Sequence, residues 1–109
     1  MQEYVVTLPV YLVIYVDWNA TRYLPLGGTD EDWDKSVAIF TEELFAERAR
    51  DKEQPRGVIW RLDTVEILGE HLNLFEAWGV RYVAFDPLRV PPSFFPKKTV
   101  QDFRREMGA

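Results

Sequence analysis

Residues 10–16 read Val-Tyr-Leu-Val-Ile-Tyr-Val, an apolar and aromatic run with no polar alternation. A strand covered on one face alternates and a strand covered on both does not, so this run predicts a central strand. Pro9 has no N–H to give to a ladder, and it splits the run from the similar stretch 4–8. Residues 17–21 carry turn chemistry. Residues 22–26 then predict a returning antiparallel strand, whose Pro25 suits an edge. Gly27-Gly28 ends it, and 29–35 reads as an acidic loop. Residues 36–40 predict the next strand.

The period then changes. Thr41, followed by Glu42 and Glu43, predicts a helix N-cap with acid against the positive end of the dipole, and the helix runs to about Lys52. Pro55 closes it, and 57–60 opens a short apolar strand. Asp63-Thr64-Val65-Glu66 has the form of a capping box, with Asp63 as cap, for a helix over 64–78 that stops at Gly79. Residues 81–85 form the last predicted strand, ended by Asp86-Pro87. The prolines of 91–96 favour an extended tail. Thr99 then caps a short helix whose Val100, Phe103 and Met107 fall on one stripe.

The order strand, strand, strand, helix, strand, helix, strand, helix defines an α/β (α+β) fold. It predicts a mixed sheet of about five strands with an N-terminal antiparallel hairpin, two strand-helix-strand crossovers and a C-terminal helix. Each crossover is expected to be right-handed and to produce parallel neighbours. With 109 residues there is length for one core, so residues 1–109 read as a single domain with 90–98 as a proline-rich connection.

The helix over 64–78 is the most informative element. At 100° per residue, Ile67, Leu68, Leu72, Leu74, Phe75 and Trp78 cover about half its girth, with His71 inside the arc and Glu66, Glu70, Asn73 and Glu76 opposite. An arc that wide needs cover from the sheet plus a neighbouring helix, or from a second subunit. Further aromatic residues stand near loops, Trp33 in the acidic segment and Phe94-Phe95 between prolines. Together with Leu74 and Trp78 they form the expected interaction surface.

Composition narrows the chemistry. The absence of cysteine excludes disulfides, thiolate nucleophiles and cysteine-ligated metals, and fits a cytoplasmic setting. A net charge of −5 opposes nucleic-acid binding, despite Lys97, Lys98, Arg104 and Arg105 at the C-terminal end. No apolar run is long enough to span a bilayer, and the residues flanking 10–16 do not have the order of a signal peptide. Asp30, Asp32 and Asp34 alternate like the first ligands of a calcium loop. Lys35 stands where that loop requires glycine and Thr41 where it requires glutamate, so the metal reading fails at those positions. No motif indicates a cofactor. His71 is the only histidine, and its place in the arc suits a buried residue bonded to the backbone. His71, Asp63 and Asp86 are the candidates for catalysis, because ligands of open sheets gather beyond the carboxyl ends of parallel strands.

The stretch 37–87 contains Val-Ala-Ile-Phe-Thr-Glu-Glu, then Leu-Asp-Thr-Val-Glu-Ile-Leu-Gly-Glu-His-Leu, then Trp-Gly-Val-Arg-Tyr-Val-Ala-Phe-Asp-Pro. It resembles the N-terminal domain of SseB-type proteins, in which a strand ends in Phe-Thr and a last strand in Asn-Pro or Asp-Pro. It resembles equally small thermophile proteins of uncharacterised function. The resemblance implies an α/β module that makes protein contacts, with no catalytic residues to carry over. The function expected is a non-enzymatic interaction module or small adaptor, acting on a protein partner or by self-association as a homodimer. The alternative is a small enzyme or ligand-binding domain with its site beyond the strand ends.

Overall fold

In the computed structural model, residues 6–17, 20–23, 36–86 and 97–109 are described. The elements are β1 (Val10–Asp17), β2 (Ala20–Tyr23), β3 (Ser36–Ile39), α1 (Glu43–Glu53), β4 (Val58–Leu62), α2 (Val65–Ala77), β5 (Tyr82–Phe85), β6 (Lys97–Thr99) and α3 (Val100–Met107). The mixed α/β class follows the sequence pattern. The single five-stranded sheet is corrected to two three-stranded sheets, β2-β1-β4 and β3-β5-β6.

The first sheet is antiparallel throughout, with Val10 opposite Leu62 and Asp17 opposite Ala20. The second is mixed, β3 parallel to β5 and β5 antiparallel to β6. One antiparallel bridge couples them: Tyr11 and Phe40 exchange both backbone hydrogen bonds, at 2.8 and 2.9 Å. Since β1 is antiparallel to both β4 and the end of β3, β3 and β4 run the same way. They are not the expected neighbours, because β1 is inserted between them. The crossover through α1 therefore spans one strand, and the crossover through α2 spans two.

Alternation along β1 then sorts the core into two layers. Tyr11 and Val13, with Ala38, Phe40 and Ile59, face Ala46 and Ala49 of α1. Val10, Leu12 and Ile14, with Val37, Ile39, Leu62, Val83 and Phe85, face Leu68, Leu72 and Phe75 of α2 and Val100 and Phe103 of α3. β1 is thus covered on both faces along 10–14, as its unbroken apolar run predicts. Phe85 and Phe103 meet edge to face, their centroids 5.1 Å apart.

Helix termini differ from expectation in detail. Thr64, not Asp63, caps α2, its hydroxyl accepting from the Ile67 N–H at 3.2 Å. Asp63 instead accepts from Arg61 Nε. Gly79, at φ 80°, ends α2, and Val80 N–H donates back to Phe75 O at 2.8 Å, which satisfies carbonyls the helix leaves open. Thr99 caps α3 as expected, accepting from Asp102 N–H at 3.1 Å. β2 begins two residues before the predicted return. β6 was not anticipated, because Lys97-Lys98-Thr99 carries no apolar pattern.

Candidate interaction surface

The carboxyl ends of β3, β4 and β5 lie at one edge, yet the polar residues there do not form one cluster. Thr41 does not cap α1; that position falls to Glu42, which makes no side-chain cap bond. Thr41 donates instead to Asp86, its N–H to Oδ1 at 2.8 Å and its hydroxyl to Oδ2 at 2.6 Å. Asp86 is buried and holds φ at 51°, a left-handed conformation that aspartate tolerates better than most residues. Its own N–H donates to Ile39 O at 2.9 Å, extending the parallel ladder by one step. Both carboxylate oxygens therefore accept from Thr41, and the pair latches the ends of β3 and β5 together. Thr41 of the Phe-Thr step and Asp86 meet here.

Asp63 is half-exposed beside Arg61 at the end of β4. β1 and β3 stand between β4 and β5, which puts their axes about 14 Å apart at the usual strand spacing. His71 is buried on the β4 side, 6% exposed, with its ring edge-on to Trp60 at 5.4 Å and 88°. Loss of hydration holds its pKa below the ordinary 6.5, against a smaller opposing pull from Glu70. The three catalytic candidates are thus not gathered. Of the cavities among the described residues, one of about 420 Å³ is bordered by Glu76, Arg81, Tyr82 and Gln101. Another, an open groove of about 730 Å³, is bordered by Ile14, Val16, Pro55, Val58 and Trp60. Neither contains His71, Asp63 or Asp86. No group of three metal-ligating side chains occurs among the described residues, and Asp30, Asp32 and Asp34 lie outside them.

A different feature is built at the outer side of β4. Arg104 of α3 reaches Asn73 at 2.7 Å and Glu76 at 3.4 Å, and the Cα of Gly69 faces Ala109, so α3 covers the Gly69-Asn73-Glu76 side of α2. The sheet covers Leu68, Leu72 and Phe75. Ile67, His71, Leu74 and Trp78 recur at steps of four, three and four, which places them on the flank away from α3 and above β4. His71 on this flank rests on Trp60. The other members are open to solvent: Ile67 38%, Leu74 43% and Trp78 52% exposed, continued on the sheet by Trp60 at 48%, Val58 at 56% and Val16 at 72%.

β4 is also the outer strand of its sheet among the described residues. Tyr11 turns its backbone bonds toward Phe40, so the even residues of β1 bond β4, and Val58, Trp60 and Leu62 turn theirs inward. The N–H and C=O of Ile59 and Arg61 point outward. Among the described residues, an apolar flank and an open β-edge therefore adjoin.

Leu74 and Trp78 were expected on a contact surface and are exposed. Trp33, Phe94 and Phe95 lie outside the described residues. Val58 and Trp60 were missed as surface residues. Their side chains share one face with Leu62 while Arg61 takes the other, a weak amphipathic alternation that is the one local signal they offered. No protein-family model matches the chain, and no curated protein is similar to it. No described helix is long and apolar enough to cross a membrane.

Proposed function

We propose that this chain is a protein-interaction module whose contact surface is the flank of α2 together with β4. The observation that carries the reading is the contiguous apolar surface of Ile67, Leu74, Trp78, Trp60, Val58 and Val16. With two half-exposed tryptophans it amounts to roughly 600 Å², at the top of the range for the largest patch on a monomer. A cytoplasmic adaptor without catalysis fits the cysteine-free, acidic composition. The likeness to SseB-type domains is carried by the sequence steps alone. The alternative site beyond the strand ends has less behind it, because Thr41 and Asp86 satisfy each other and His71 is turned toward Trp60.

A photoreactive residue introduced at Leu74, in the cells that make the protein, should yield a discrete protein adduct. The same residue at Arg48, on the exposed side of α1, should not. Absence of any adduct from Leu74 and Trp78, or equal labelling from Arg48, contradicts the reading.

A further inference from the structure

We infer that the occupant of this surface is a second copy of the chain, paired through β4 edge to edge about a two-fold axis. The inference rests on the interaction-surface reading and names its partner. Three observations select a copy of the same chain. An open antiparallel edge is self-complementary under two-fold symmetry, and joining β4 to β4 of the partner makes one continuous six-stranded sheet, β2-β1-β4 against its own repeat. The apolar flank of α2 lies on the same side as that edge, so the edge contact brings the Leu74 and Trp78 stripes of both copies together. The area also agrees. Roughly 600 Å² of apolar surface per copy, enlarged by the strand backbone and a polar rim, reaches the ~800 Å² per partner of a standard interface.

The backbone fixes the register. Only Ile59 and Arg61 present outward groups, and pairing Ile59 with the partner's Arg61 satisfies all of them at once. Moving the axis to Arg61 sets two guanidinium side chains directly opposite each other. Moving it to Ile59 sets Arg61 against the partner's Gly57, whose N–H is already given to Gln54 O at 2.8 Å. The axis therefore passes at Trp60. Trp60 faces its own copy at a non-hydrogen-bonded position, where Cα atoms approach to about 4.5 Å.

The purified full chain in sedimentation equilibrium, at tens of micromolar, should show twice the monomer mass of 12.8 kDa. Arg61→Pro removes the outward N–H of an exposed edge residue and should weaken the dimer about thirtyfold or more, with the circular dichroism spectrum retained. Should that variant unfold, Leu74→Glu on the exposed helix flank gives the same readout. The chain has no cysteine, so Trp60→Cys should cross-link to its own copy under mild oxidation, whereas Leu44→Cys on the α1 side should not. A strict monomer, or a dimer undiminished by Arg61→Pro and Leu74→Glu and not cross-linked at position 60, overturns the inference. A monomer that still gives a discrete adduct with another protein from Leu74 refutes self-pairing while leaving the interaction surface in place.

Discussion

Two edges of the molecule solve opposite problems. At the ends of β3 and β5, a buried carboxylate meets an N–H and a hydroxyl from 45 residues away, and both its oxygens are engaged. At the outer side of β4, two tryptophans and several aliphatic side chains face water beside a strand edge that is unpaired among the described residues. The first place holds the residues that sequence motifs single out, yet its polarity is consumed internally and it acts as a latch. The second carries no motif, but it is the one whose physical requirements are unmet within the described residues. The proposed contact surface is marked by what remains unsatisfied and not by which residue types are present.

That contrast can be broken from either side. Asp86→Ala should have the largest effect, about 3–5 kcal/mol of lost stability. It leaves the part-buried Thr41 donors without their acceptor and puts alanine at a positive φ. Urea denaturation measures it, and a loss under ~1 kcal/mol removes the latch from the account. A smaller effect is expected from pH. Burial favours neutral His71, so the unfolded chain binds more protons between the ordinary pKa of 6.5 and the lower folded value. Stability from this residue is fully present above about 6.5 and declines as pH falls toward the folded value. Unfolding curves between pH 5.5 and 7.5 should show this slope, and His71→Gln should flatten it. The smallest change in stability should come from Leu74→Glu or Trp78→Glu, within about 0.5 kcal/mol for exposed positions, while association is lost. A large stability loss in these variants at concentrations where the chain is monomeric would mean that the flank belongs to the core.

How far the chain could be read follows the same division between local and non-local. The run over 10–16 announced a strand covered on both faces, because burial erases alternation; residues 10–14 are so covered, while Val16 at its end is exposed. Val100, Phe103 and the Thr99 cap announced α3, because capping and periodicity act within one turn. The cap of α2 moved from Asp63 to Thr64 because Arg61 claims the aspartate, a contact two residues away that a capping pattern does not encode. The insertion of β1 between β3 and β4, and the docking of Lys97–Thr99 on β5, depend on pairings between distant segments. Which half of the apolar arc of α2 stays open depends on where α3 lands. Leu68 and Leu74 look alike in sequence, and only the tertiary arrangement buries one and exposes the other.

Amide hydrogen exchange at single-residue resolution tests the central claim, that β4 is a contact edge, most directly. Val58 and Trp60 bond inward to β1 and should be protected at every concentration. If the surface is used as inferred, Ile59 and Arg61 should become as slow as Trp60 when the concentration is raised through the dimer range, and fast again on dilution. Ile59 and Arg61 amides that exchange at open-edge rates at all concentrations, alone and in the cellular mixture, would contradict it.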